Sequence, residues 1–179
     1  MLVADDSKNE SVSLLPFHFE CRVAVNAPAE AVFSRLDDPK LLSAHMSRSS
    51  WMMAGSHMAL ELDASQGRAV GASIRMGGRV LGIALSLEET VTERSPPWRK
   101  AWATTGTPKL LVIGQYRMGY ELTPQGHSSL LRVFIDWALP ETPPARWFGR
   151  LFGGLYARWC TRRMADDARD YFRTAGQGR

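Results

Sequence analysis

Apolar and polar residues alternate along the middle of this chain and fall at helical spacing near its ends, and each change of period marks an element. Phe17, Phe19, Cys21, Val23 and Val25 face one way and His18, Glu20, Arg22 and Ala24 the other, which predicts a half-buried strand. Asn26-Ala27-Pro28-Ala29-Glu30 then reads as a helix start, with a proline near the first turn and a glutamate within it. That helix carries Ala31, Val32, Phe33 and Leu36 and stops near Asp37-Asp38-Pro39, and a second short helix is expected from Lys40 to Met46. From Met52 to about residue 140 the period is two. Ser56 to Leu62 is a strand with Met58, Leu60 and Leu62 on one side, and Gln66-Gly67 is a turn. Val70, Ala72, Ile74 and Met76 predict the next strand, and Gly77-Gly78 predicts a hairpin. Leu81, Ile83, Leu85 and Leu87 alternate with Gly82, Ala84, Ser86 and Glu88, in a strand that ends near Arg94 before Ser95-Pro96-Pro97. Lys100 to Thr105 is a short strand with Trp102 and Thr104 on one face, interrupted at Thr107-Pro108, and Leu110 to Ile113 reads equally as strand or loop. Tyr116, Met118, Tyr120 and Leu122 form one strand row, and Leu131, Val133, Ile135, Trp137 and Leu139 another after the Gln125-Gly126 turn.

Pro143 to Arg173 switches to helical spacing. Phe148, Phe152, Tyr156, Cys160, Met164 and Ala168 form one row, with Trp147, Leu151, Leu155 and Trp159 beside it. A helix of about thirty residues spans roughly 45 Å, long for a chain of this size, and it requires a large apolar surface to lie against. Gly153-Gly154 inside it costs about 1 kcal/mol per glycine relative to alanine. Two explanations stay open: a kink or close backbone approach, or a break that separates residues 144–152 from a main helix starting near Leu155.

The order is one strand, two short helices, a run of antiparallel strands joined by tight turns, and one long C-terminal helix. Hairpin-length connections exclude βαβ units. The predicted class is α+β: a curved antiparallel sheet of about six to seven strands wrapped around the helix. Residues 16–175 are expected to form one domain, with 1–15 a loose lead-in and 176–179 a tail.

Composition narrows the functional classes. The 179 residues are 45% hydrophobic, an ordinary soluble balance. No apolar run approaches the roughly 18 residues of a membrane span, and acids stand in the N-terminal stretch where a signal peptide would carry bases, so a cytoplasmic location is expected. Cys21 and Cys160 are too few and too far apart for a disulfide framework or a zinc site, and they are expected to be reduced and buried. Residues 1–90 hold 8 bases and 11 acids, whereas 91–179 hold 14 bases and 7 acids. The long helix alone carries seven arginines against Asp166, Asp167 and Asp170. Such a basic face suits an anionic membrane or simple solvation. It does not suit nucleic acid, because the bases are not interleaved with strand aromatics.

The stretch Val25-Asn26-Ala27-Pro28-Ala29-Glu30-Ala31-Val32-Phe33, followed by Leu36-Asp37-Asp38-Pro39, resembles the entry to the first helix in the START-like, or SRPBCC, superfamily. Gly71, the Glu88 to Arg94 segment and the closing Trp/Phe-rich helix extend the resemblance over about residues 17–174. It implies the helix-grip fold of polyketide cyclase/dehydrase, lipid-transfer and Bet v 1-like proteins, with a deep cavity between sheet and helix for an apolar or amphipathic small molecule. One activity does not follow, because this fold hosts binders, carriers and enzymes.

The residues themselves mark no familiar catalytic constellation. His18, His45, His57 and His127 are scattered, so neither a metal nor another cofactor is expected. Arg75, Arg117, Glu121, Arg132 and Asp136 lie opposite the large apolar side chains of their strands. They read as solvent-facing cross-strand ion pairs. The competing reading puts one or two of them inside for acid–base work, with Arg75 and Asp136 the choices. The inward row of Met58, Met76, Leu85, Trp102, Tyr116, Met118, Tyr120 and Trp137 is rich in thioethers and rings that line apolar pockets well. Phe152, Leu155, Tyr156 and Trp159 are the expected contacts from the helix. Three functions remain: a carrier of a hydrophobic small molecule such as a lipid, quinone, polyketide or aromatic metabolite; a cyclase, dehydratase or hydrolase of the same fold, without a metal; and a peripheral membrane or protein-interaction module using Trp147, Phe148, Leu151 and Phe152 with Arg146 and Arg150. Oligomeric state is not legible.

Overall fold

The computed structural model describes residues 15–42, 58–80 and 83–176. They form β1 (Phe17–Val25), α1 (Ala29–Leu36), α2 (Pro39–Leu42), β2 (Met58–Leu62), β3 (Ser73–Val80), β4 (Ile83–Ser95), β5 (Arg99–Lys109), β6 (Tyr116–Gln125), β7 (Ser128–Trp137) and α3 (Pro143–Gly176). The seven strands make one antiparallel sheet in the order β1-β7-β6-β5-β4-β3-β2. The first strand thus closes against the last, and the meander between them carries the sheet out to β2. With α3 gripped on one face, this is the helix-grip architecture.

Curvature comes from β4 and β5. Ser86 pairs with Lys109 but Glu88 pairs with Thr105, so residues 106–108 of β5 oppose Leu87 alone, and a second shift follows between Val91 and Glu93. Such bulges bend and twist a strand. Gly106, at φ 66°, supplies the left-handed conformation that the first of them requires. This is also why Thr107-Pro108 does not end β5 as the sequence suggests. The two residues belong to the bulge, where a missing N–H breaks no ladder bond.

Two other expectations are corrected. Gly77-Gly78 is strand, not turn: Gly77 pairs with Ser86 and Gly78 with Leu85, and β3 runs on to Val80. Val70 is exposed in a turn that ends at Gly71, so β3 begins at Ser73 rather than at Val70. Glycines have no side chain to mark a face, which let the hairpin be read too early. Leu110 to Ile113 is a loop, and α2 is described only to Leu42, so the rest of the expected second helix lies outside the described residues.

The main core joins Val25, Leu131, Val133 and Ile135 of the sheet to Ala29, Val32, Phe33 and Leu36 of α1 and to Ala157, Cys160, Met164, Ala165 and Ala168 of α3. Each large aliphatic side chain buried there contributes about 1.5–3 kcal/mol. A second cluster of Ala72, Ile74, Met76 and Val91 covers the β3–β4 half of the sheet, with Leu60, Leu62 and Leu87 against it.

α3 is continuous through its glycines. A Cβ on Gly149 would lie 2.8 Å from Pro140 Cδ and 2.9 Å from the Val112 carbonyl oxygen, and one on Gly153 2.8 Å from that same oxygen. Close backbone approach is therefore the reason for Gly149 and Gly153, whereas Gly154 meets nothing within 4 Å. This seam fixes which side of the helix faces inward, and it turns the neighbouring aromatic residues out.

The outer face of the sheet is an ion-pair lattice. Arg132 bonds both Glu20 and Glu121, Glu121 bonds Arg99, and Glu93 bonds Arg99 and approaches Arg117 at 3.7 Å. Beneath it Phe134 is buried, packed over Gly119 with the guanidinium carbons of Arg99, Arg117 and Arg132 at 5.8, 5.5 and 5.1 Å from its ring centre.

Candidate functional site

The inner face carries two ionisable groups that have no place in an apolar row unless something stabilises them. In β4 the inward positions run Leu85, Leu87, Glu89, Val91, and in β5 Lys100, Trp102 and Thr104 share one face. Glu89 is 4% exposed and Lys100 1% exposed.

Lys100 belongs to a closed cluster at the end of α1. Its ammonium donates to Asp37 Oδ1 at 2.8 Å and to the Asp37 carbonyl at 3.0 Å. Arg94 donates to the same carboxylate from Nε at 3.1 Å and from its terminal nitrogen at 2.8 Å. Burial pushes the Asp37 carboxyl up, but these two cations outweigh it and hold the group below its ordinary range. Asp37 also ends α1, its N–H bonding the Phe33 carbonyl. The cluster ties helix to sheet.

Among the described residues, no cation bonds Glu89. Its carboxylate accepts a hydrogen bond from the Tyr116 hydroxyl on β6, and the Trp102 indole on β5 bonds it too. Burial raises the carboxyl to about 7 against these two bonds. Thr104 lies between the strands, accepting from the Tyr116 N–H at 3.0 Å and so holding Tyr116 in register with Glu89. Tyr156 and Cys160 come from α3. Burial lifts both above their ordinary values, the thiol to about 12, with the Glu89 charge adding to the effect. Cys160 is therefore a protonated thiol, not a nucleophile. Four elements thus converge on one protonatable carboxyl.

Around this pair lies most of the predicted lining. Met76, Trp102, Tyr116, Met118, Tyr120 and Trp137 are buried on the inner face, and Leu85, Tyr156 and Trp159 are half-buried, the last two rings 5.9 Å apart. Among the described residues the buried Tyr120 hydroxyl finds no hydrogen-bond partner, a state that costs about 1–3 kcal/mol unless another polar group meets it. Met58 opens β2, but its side chain lies outside the described residues, as do His45 and His57. Phe152 and Leu155 are corrected: they are 46% and 54% exposed, because the glycine seam takes the inward side of α3. Arg75 and Asp136 are also corrected as acid–base choices. Both face outward, Arg75 at 3.3 Å from Glu88 and Asp136 at 2.6 Å from His18. α3 itself packs chiefly on β1 and β7 and reaches the Glu89 region of β4 through Tyr156 and Cys160. A separate groove of about 420 Å³ sits on the outer face at the β5 bulge, between Glu61, Arg75 and Thr105. Its charged groups are solvated, and Glu89 is not among the residues that line it.

Glu89 and Lys100 were both signalled by the pattern. Each is a charged residue in the same parity as apolar neighbours, Glu89 two residues past Leu87 and Lys100 two before Trp102.

Residues 16–171 match the family described as polyketide cyclase/dehydrase and lipid transport. The chain belongs to that family. Among solved structures, the Zhui aromatase/cyclase from Streptomyces sp. R1128 is similar with a TM-score of 0.65 and 14% identity, over 88% of this chain and 93% of that one. A truncated norcoclaurine synthase from Thalictrum flavum gives 0.61 and 16%, over 87% and 92%. Ara h 8.0201 gives 0.58 and 10%, over 88% and 98%. At these identities the likeness is one of fold. No curated protein matches by sequence. Among the described residues, no helix is long and apolar enough to cross a membrane.

Proposed function

We propose that the protein binds a hydrophobic small molecule that carries at least one polar group, in the space between the inner face of the sheet and α3. The observation that carries this reading is the Glu89–Tyr116 pair set within an otherwise apolar, aromatic face. A carboxyl kept there without a cation costs stability, and such groups concentrate where a ligand uses them. The Met- and Tyr-rich lining suits a lipid, quinone, polyketide or aromatic metabolite, and the buried Tyr120 hydroxyl, which no described residue bonds, offers a second polar anchor. Met76, Leu85, Trp102, Tyr116, Met118, Tyr120, Trp137, Tyr156 and Trp159 are the contacts we assign. The test is mass spectrometry of organic extracts from the purified protein, paired with titration by 1-anilinonaphthalene-8-sulfonate. A stoichiometric apolar compound or a saturable, displaceable signal supports it; a clean extract with no saturable binding overturns it.

A second reading concerns delivery. Trp147, Phe148, Leu151, Phe152 and Leu155 are all exposed along the first turns of α3, with Arg146, Arg150 and Arg158 around them and no acid before Asp166. This face suits peripheral contact with an anionic membrane. Co-sedimentation with phosphatidylglycerol vesicles at low salt, lost in Leu151→Ser/Phe152→Ser, is the expected result. Equal sedimentation of wild type and variant removes it.

A further inference from the structure

We infer that Glu89 is a catalytic acid–base group, placed to remove and return a proton on a carbon next to the carbonyl of a bound aryl ketone. The inference rests on the binding reading above and adds chemistry to it. It starts from what surrounds Glu89. From β5 come Trp102 and Thr104, from β6 Tyr116, and from α3 Tyr156 and Cys160. None is a cation, so no described residue holds the carboxyl as a structural anion. Asp37 shows how this same fold secures a buried carboxylate that serves only as a tie: with two cations in bonding range. Glu89 instead receives bonds from neutral donors, which orient it and leave it free to exchange a proton. Burial brings its titration to about 7, where a group is equally able to take and to give a proton.

The substrate class follows from the partners. A base flanked by protonated phenols suits a compound whose acidic C–H lies beside a hydrogen-bond acceptor, and the ring-lined face suits an aryl group on that compound. In the step, a Glu89 oxygen takes the α-proton, the C–H electron pair becomes the new C=C bond, and the carbonyl oxygen becomes an enolate oxygen stabilised by the Tyr156 hydroxyl. The reverse step returns a proton from Glu89 to carbon. No oxidant, reductant or co-reactant enters. Tyr116 is a positioning residue, since its hydroxyl is engaged with Glu89 itself.

The experiment is hydrogen–deuterium exchange at C2 of 1-tetralone in heavy water, followed by NMR, with binding of the same ketone measured by tryptophan quenching. The expected result is protein-catalysed exchange that rises with pH through an inflection near 7 and is flat above it. Glu89→Gln, compared at saturating ketone, should lose about 100-fold or more of the exchange rate. Glu89→Asp should keep the inflection at a reduced rate. Tyr116→Phe should move the inflection upward, because the bond it removes favours the ionised carboxyl. A bound ketone that exchanges equally fast with wild type and Glu89→Gln, or does not exchange at all, overturns the inference and leaves the binding reading intact. Failure of both 1-tetralone and 1-anilinonaphthalene-8-sulfonate to bind overturns both.

Discussion

Asp37 and Glu89 are carboxylates withdrawn from water on the same inner side of one sheet, and the fold treats them in opposite ways. Asp37 is clamped by Lys100 and Arg94, both within hydrogen-bonding distance, so it is ionised and immobile. Glu89 meets tyrosine and tryptophan, so near neutrality it sits between its two protonation states. A buried charge answered by charge is a fastener. A buried acid answered only by neutral donors is poised for proton exchange, and the difference lies in the neighbours rather than in the depth of burial.

Removing one side of the fastener should have the largest effect. Asp37→Ala leaves two cations facing each other without an anion and should cost about 3–5 kcal/mol in urea denaturation. A loss below 1 kcal/mol would mean that the two carboxylates are not distinct in kind. The next effect is in the pH dependence of stability. An unfolded glutamate titrates near about 4.3, while native Glu89 holds its proton to about 7. Across that window the native state binds more protons, so its contribution is full at lower pH, declines by about 3 kcal/mol as pH rises to 7, and is level beyond. Glu89→Gln should abolish this decline, and urea midpoints at pH 5 and pH 8 for both proteins would show it. A smaller effect belongs to Tyr116→Phe, which should push the end of the decline to higher pH. Smallest of all is Glu121→Gln on the outer face, where a half-exposed lattice predicts less than about 1 kcal/mol, diminishing further in salt.

The class, element order and handing of most strands were legible because period-two alternation is a direct print of a sheet with one wet and one dry face. Arg117, Glu121 and Arg132 were read outward on that basis, and they stand outward in ion pairs. What escaped follows from two physical facts. Glycine carries no face, so Gly77-Gly78 looked like a turn when it is strand, and Gly149 and Gly153 hid the true inward side of α3. The rings beside those glycines formed a helical stripe, and a stripe of large apolar residues looks like a core until smaller ones are seen to take the buried side. Glu89 and Lys100 were missed for another reason. Alternation sorts residues by face, and the apolar row of a strand that runs to Arg94 was followed only to Leu87, so the acid two residues further on was not assigned to the dry face.

The glycine seam has a consequence for engineering. Gly149 and Gly153 key the rotational phase of α3 against Val112 and Pro140 through contacts that admit no added carbon. The helix cannot turn about its axis to hide a rewritten face, so Trp147, Phe148, Leu151, Phe152 and Leu155 form a surface whose chemistry can be recoded without reopening the packing behind it. Substituting them together should alter what the protein adheres to while its melting behaviour stays the same. That makes the N-terminal half of α3 a natural place to attach a tag, a charge pattern or a surface anchor.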